Sequence, residues 1–308
     1  MKSRIPLLGL LLPLFLACGE DKLPNLINNN EPNDVTGLNY VEAEGGDFAA
    51  IYDELILTLN ANSAVSLVAQ VDHAANAQSV GSSLRPTRTV LFGNPRLGTP
   101  LMQINPQAGL DLPQKMLVYE ADDEDVILAY NTVEYLANRH GVAEAATLDD
   151  MRDALGGLAA GVGNDNVVNA PDNDVERNEG VMDITVSGSV DSVYANLRAA
   201  IVGNAQLSII AEVDHQANAA SAGLELPAIR LIVFGNPQLG TPLLREERSI
   251  GIDLPQKMLV YALDNDNVTV AYNDPYYLAD RHGIAADTPE LATIREALNS
   301  LARTAVGL

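Results

Sequence analysis

The phrase FGNPRLGTPLM begins at Phe92 and returns as FGNPQLGTPLL at Phe234, 142 positions later, with two letters changed. Sliding the chain against itself by 142 aligns 72–141 with 214–283 without a gap, and 39 of those 70 positions are identical. Phe48, Ile51 and Leu55 fall opposite Val190, Val193 and Leu197 in the same register. A period this long is that of a domain, not of the roughly 20–50-residue unit of a solenoid. Whatever one copy folds into, the other must fold into as well. The pattern divides the chain into a first domain at 38–160, an acidic linker at 161–180 and a second domain at 181–308.

The N-terminus lies outside both copies. Lys2 and Arg4 precede an apolar run from Ile5 to Leu16, which is too short to span a bilayer as a mature helix. With FLAC ending at Cys18, residues 1–18 read as a lipoprotein signal peptide whose cysteine would be acylated, so the expected partner of this end is a membrane. The expected location is a bacterial cell envelope, as a periplasmic or outer-membrane lipoprotein. Residues 19–37, rich in Asn, read as a polar tether. Cys18 is the only cysteine, which excludes disulfides and cysteine metal sites. The net charge of −23 would repel phosphate backbones, so no nucleic-acid partner is expected.

The second copy is the easier to read. VMDITVSGS (181–189) alternates like a strand, and Ser189 precedes apolar positions at helical spacing: Val190, Val193, Tyr194, Leu197 and Ile201. QLSIIAEVD (206–214) and IRLIVFGN (229–236) are strands, and KMLVYAL (257–263) with VTVAYN (268–273) makes a hairpin across DNDN. Asp274, Pro275 and Gly283 bracket a short helix, and Thr288 with Pro289 opens the last one. The order implies an α+β domain with helices on one side of a mostly antiparallel sheet.

DHxANA, FGNPxLGTPL, LDLPQKMLVY, AYN and YLAxRHG, in that order and in both copies, resemble the family known as domain of unknown function 302. The resemblance implies two tandem β-α-β-β-β-β-α sandwich domains of the TATA-binding-protein-like superfold. It also implies that single copies tend to pair, so the two fused copies are expected to pack as an intramolecular pseudo-dimer. It implies no activity and no cofactor.

Candidate ligand-binding residues come in matched pairs. His73 and His215 each follow a strand, with Asn76 and Asn218 one turn later; they suit a general base or a metal ligand completed from another loop. Arg139–His140–Gly141 and Arg281–His282–Gly283 close helices, where cations and glycine are favoured by the backbone alone. A sharper expectation joins His73, His140 and Arg139 in one cleft. In the repeated phrase, Asn94 and Asn236 turn the chain while Thr99 and Thr241 would cap a helix, a geometry that can offer backbone N–H groups to an anion. Lys115 and Lys257 would face a ligand or pair at the surface with Asp111 and Asp253 of their own copies. Ser79 and Ser221 lack a nucleophile elbow. The acidic stretches ADDED and LDNDN lack the spacing of a calcium loop.

Three functions are compatible with these residues. The first is a non-enzymatic, lipid-anchored binding module for a small anionic ligand or a metal ion. The second is an envelope enzyme with His73 and His215 as general bases. The third is a purely structural or interaction protein.

Overall fold

A computed structural model describes residues 30–171, 175–263 and 266–308. The signal segment with Cys18, and tether residues 19–29, lie outside the described residues.

The first half runs β1 (Leu38–Ala43), α1 (Phe48–Ala61), β2 (Ser66–Asp72), α2 (His73–Ser79), β3 (Thr87–Gly93) and α3 (Pro95–Ile104). A 3-10 turn (Pro106–Leu110), β4 (Gln114–Glu120), β5 (Val126–Asn131), α4 (Val133–His140) and α5 (Leu148–Gly163) complete it. The second half repeats the order. It comprises β6 (Val181–Ser187), α6 (Val190–Val202), β7 (Ser208–Asp214), α7 (His215–Ser221), β8 (Ile229–Gly235) and α8 (Pro237–Glu246). A 3-10 turn (Arg248–Ile252), β9 (Gln256–Ala262), β10 (Asn267–Asn273), α9 (Pro275–Arg281) and α10 (Pro289–Ala305) follow. Each half holds one antiparallel sheet, ordered β1-β5-β4-β3-β2 and β6-β10-β9-β8-β7. The five strands per copy are those the sequence implies, with short helices added between them.

The strand period explains how the halves join. Along β4, Met116 and Val118 point to the face covered by Tyr52, Leu55 and Leu59 of α1 and by Leu155 of α5. Leu117 and Tyr119 point the other way, where they cluster with Ile127, Ala129 and Ile252 of the second half. β4 is buried on both faces, hence its continuous apolar run. The 3-10 turn of each half is pressed onto the opposite sheet. A Cβ on Gly251 would lie 2.8 Å from Leu117 Cδ1, and one on Gly109 would lie 3.1 Å from Leu259 Cδ1. One apolar core therefore includes residues of both halves, and the chain is an intramolecular pseudo-dimer.

Three sequence expectations change. Thr99 and Thr241 do not cap a helix. α3 and α8 begin earlier because Asn94 Oδ1 accepts from Arg96 N at 3.0 Å and Asn236 Oδ1 from Gln238 N at 2.9 Å, with proline in the first turn. Thr99 and Pro100 thus sit inside α3. Residues 161–163 of the expected linker are the end of α5, which stops where Asn164 takes a left-handed φ of 55°; beyond it Val168 bridges to Tyr40 of β1. Residues 30–37 of the expected tether pack on the body. Asn30 Oδ1 accepts from Arg248 N at 2.8 Å, Thr36 O from Arg281 Nε at 2.9 Å, and Val35 is buried.

Candidate functional site

The polar residues that the two copies share are sorted by the fold into two places. The first is a buried network that joins the two halves. Asp111 accepts from Arg139 Nη1 at 2.6 Å and from Lys257 Nζ of the second half at 3.1 Å. Asp253 accepts from Arg281 Nη1 at 2.7 Å, and Lys115 Nζ of the first half stands 3.8 Å away. Lys115 also donates to Ile252 O. The remaining guanidinium nitrogens cross between halves, Arg139 Nη2 to Asn273 Oδ1 at 2.9 Å and Arg281 Nη2 to Asn131 Oδ1 at 2.8 Å. Tyr135 and Tyr277 meet hydroxyl to hydroxyl at 3.2 Å. The Arg281 guanidinium lies 4.1 Å from the Tyr135 ring centre, close enough for a cation–π contact.

Burial alone would raise the carboxyl pKa of Asp111 and Asp253, but the arginines and lysines around them hold both well below the usual carboxylate range. Both are therefore ionised acceptors. His140 Nε2, 2.9 Å from Asp111, and His282 Nε2, 3.0 Å from Asp253, must then donate. Burial pushes both imidazoles toward the neutral form. Burial and the neighbouring Lys257 bring Lys115 down to about 7.

The second place is a pair of clefts, each built from both halves. In the larger, of about 460 Å³, the Phe92–Thr99 turn and helix start face His215, Asn218 and Ser221 of α7. In the smaller, of about 270 Å³, Phe234–Thr241 faces His73, Asn76 and Ser79 of α2. The repeated phrase of one copy thus meets the DHxxN segment of the other. Asp72 and Asp214 set the histidines by capping α2 and α7, accepting from Ala75 N at 2.8 Å and Ala217 N at 2.9 Å. Burial lowers His73 and His215 to about 4, so both are neutral near pH 7.

Neither cleft is a ready anion site. In α3 Pro95 has no N–H, Arg96 N is taken by the Asn94 side chain, and Leu97 N and Gly98 N both donate to Asn94 O, at 3.0 and 3.1 Å. The amides of α8 are used in the same way. No lysine or arginine among the described residues lines either cleft. Among the described residues no group of three His, Cys, Asp or Glu could hold a metal ion.

What the larger cleft has is buried polar atoms without partners. Thr99 is 1% exposed, and its Oγ1 has no hydrogen bond among the described residues. His215 Nε2 is likewise buried and unpartnered, although the Gly109 backbone offsets part of its burial penalty. Gln114 Nε2 finds only the Met151 sulfur, at 3.1 Å, a weak acceptor. In the smaller cleft His73 Nε2 lies 3.1 Å from Thr89 Oγ1, which donates to Gly251 O at 2.8 Å. Leu231 replaces Thr89 in the second copy, so His215 lacks that link.

The fold therefore brings together His73 and Asn76 with Asn236 and Thr241, and His215 and Asn218 with Asn94 and Thr99. It separates from them Lys115, Arg139, His140, Lys257, Arg281 and His282, all in the buried network. The expected union of His73 with His140 and Arg139 does not form, because His140 and Arg139 are spent on Asp111. The lysines do not pair with aspartates of their own copies at the surface. They sit on the inner sheet face and bond across to the opposite half. Sequence reasoning passed over Asn131, Tyr135, Asn273 and Tyr277; their identity between copies was the available signal.

The family described as Domain of unknown function DUF302 matches residues 40–158 and 182–304, and the chain belongs to it. The structure of an uncharacterized conserved DUF302 protein from Bacillus stearothermophilus is similar, with 18% identity and a TM-score of 0.38. The match covers 41% of this chain and 98% of that one. Two curated relatives are named as fluoride-specific ion channels: FluC 1 of Brucella suis biovar 1 (strain 1330) and FluC 1 of Brucella abortus biovar 1 (strain 9-941). Each is 45% identical over 83 residues, which is 26% of this chain and 33% or 31% of the relative. The chain thus spans about a third of the curated relatives it matches. Among its described residues no helix is long and apolar enough to cross a membrane.

Proposed function

We propose that the protein is a non-enzymatic binding module of the cell envelope, and that its larger composite cleft takes a small, mostly apolar, uncharged molecule with a hydrogen-bonding end. The observation that carries this reading is the pair of unpartnered buried atoms, Thr99 Oγ1 and His215 Nε2, in a cleft with an apolar wall of Phe92, Leu97, Met102, Leu112 and Leu155 and a polar side that carries Glu212 and Asp214. Leaving buried polar atoms unpaired costs about 1–3 kcal/mol each, so a ligand that bonds them recovers a penalty already present. This ligand class takes the place of the anion or metal ion expected from the sequence. Among the described residues the cleft has no lysine or arginine, no spare amide at the start of α3 and no metal-ligand cluster to favour either. Envelope location rests on the leader and Cys18, and Cys18→Ser is expected to shift the protein from the membrane fraction to the soluble one.

Titration calorimetry and native mass spectrometry against small alcohols, amides and ketones of the envelope, with fluoride included because of the named relatives, test the proposal. Saturable binding of a neutral molecule, weakened about tenfold by Thr99→Val or His215→Phe, is the expected result. Silence across the neutral set, or binding indifferent to both substitutions, contradicts it. Catalysis by histidine is less well supported. An imidazole held at about 4 is a weak base, and Ser221 Oγ is occupied in donating to Asn218 O at 2.7 Å.

A further inference from the structure

Away from the clefts, the copies differ around two equivalent surface hollows. On one side Ser83, Leu84 and Arg85 of the first half face Arg245 and Arg248 of the second, around an open hollow of about 350 Å³. On the other side Glu225, Leu226 and Pro227 occupy the positions of Ser83, Leu84 and Arg85, while Gln103 and Pro106 occupy those of Arg245 and Arg248. Three arginines stand on one side and none on the other, in a chain of net charge −23.

The bonding differs accordingly. Gln103 is satisfied, its Nε2 donating to Glu225 O across the halves at 2.8 Å. Arg245, in the equivalent place, is exposed and has no hydrogen bond or ion pair among the described residues. Arg85 pairs with Glu120 at 2.6 Å, and Arg248 Nη2 pairs with Asp122 Oδ1 at 2.5 Å. Arg248 is only 5% exposed, yet its Nε meets no acceptor among the described residues. The neighbouring Glu246 is turned away, accepting from Ala285 N and Thr288 Oγ1. Two carboxylates thus serve three guanidiniums. The exposed Arg245 guanidinium is left without a carboxylate among the described residues beside a solvent-open hollow, while the unpartnered Arg248 Nε is itself buried, on the copy where the sequence changed from QINPQAG to REERSIG.

We propose that this hollow binds a phosphate-type oxyanion, held between Arg245 and Arg248 with Arg85 at its edge. Forked guanidinium donors match the oxygens of phosphate, and charge-assisted bonds of this kind are about twice as strong as neutral ones. The site is separate from the composite clefts and does not depend on what they bind.

The test titrates the full chain with inorganic phosphate at low ionic strength, followed by calorimetry and by phosphorus NMR. Wild-type protein is expected to bind saturably, with affinity falling as salt is added. Arg245→Gln, an exposed substitution to the residue of the other copy, is expected to weaken binding about tenfold or more with an unchanged melting curve. Arg85→Gln is expected to weaken it less, and Thr99→Val not at all. No saturable binding at about 10 mM phosphate, or equal binding by wild type, Arg245→Gln and Arg85→Gln, overturns the proposal. Co-sedimentation with phosphatidylglycerol vesicles, blanked against phosphatidylcholine, distinguishes the source. Sedimentation lost in Arg245→Gln assigns the oxyanion to a lipid headgroup, and phosphate binding without sedimentation assigns it to a soluble phosphate.

Discussion

The buried network and the two clefts use the same duplicated letters but have diverged to different degrees. The arginine, histidine and asparagine contacts of Asp111 recur around Asp253, down to the crossed bonds to Asn273 and Asn131. Only the outer partners differ: Lys257 bonds Asp111 whereas Lys115 stands off Asp253 and bonds Ile252 O, and Ser249 reaches His282 but no group among the described residues reaches His140 Nδ1. The clefts match in outline only. One carries the Thr89 link to its histidine, whereas the other has Leu231 there and two unpartnered polar atoms instead. Change is costly where ions are buried at the joint. Removing one member of a buried pair leaves a charge with neither water nor partner, so the joint holds both copies to one answer. Thr89 and Leu231 are both fully buried but uncharged, and exchanging a neutral hydroxyl there costs less than stranding a buried ion.

The largest effects should come from the symmetric part. Asp111→Asn and Asp253→Asn are each expected to cost about 3–5 kcal/mol in urea unfolding, and to cost nearly the same. A wide gap between them would break the symmetry. Next is acid sensitivity. His73 and His215 sit at about 4 in the folded chain against 6.5 for an unburied histidine. Above 6.5 both states are neutral and the full stability is present. As the pH falls from 6.5 to 4 the unfolded state takes up protons first, so stability drops, by on the order of 3 kcal/mol per histidine, and then levels off. His73→Gln and His215→Gln should each lower that slope by a similar amount in melting curves recorded between those limits, with His140 and His282, also held toward the neutral form, supplying a remainder. The depressed Asp111 and Asp253 add a second loss below the usual carboxylate range.

Smaller effects sharpen the contrast at the close contacts. Gly251→Ala must push Leu117 aside and is expected to cost about 1–3 kcal/mol, with Gly109→Ala costing less because its neighbours stand farther off. Thr89→Val should cost about 1 kcal/mol by unlinking His73 from Gly251 O, while Leu231→Thr, which offers His215 the missing hydroxyl, should cost less. Equal losses from the last two would mean that the difference between clefts is not energetic.

How much of this could be read beforehand follows the physics of each signal. Period-two alternation and turn chemistry are local, so β6 to β10 and the Asp274–Gly283 helix stand in the sequence. Asn94 was visible as a turn residue but not as the helix cap. Thr99-Pro100 looked like an equally good start, and only the bond to Arg96 N decides between them. The duplication announced a pseudo-dimer, yet no local rule says that Lys257 reaches Asp111 across 146 positions rather than Asp253 nearby. The signal that existed was the parity of β4 and β9. Lys115 and Lys257 share a face with Leu117 and Leu259, an inward face once the other copy is placed there. Identity between copies marked residues under shared constraint without separating a structural joint from a ligand site.

The direct test of this account is segment-resolved hydrogen exchange across a urea series, comparing wild type with Asp111→Asn. If the halves are one cooperative body, the strand peptides 114–120 and 256–262 lose protection at the same urea concentration, and the single substitution in the first half lowers that concentration equally for both. Loss of protection in 114–120 alone, with 256–262 still protected at the wild-type concentration, would show two independent domains and contradict the shared joint and its composite clefts.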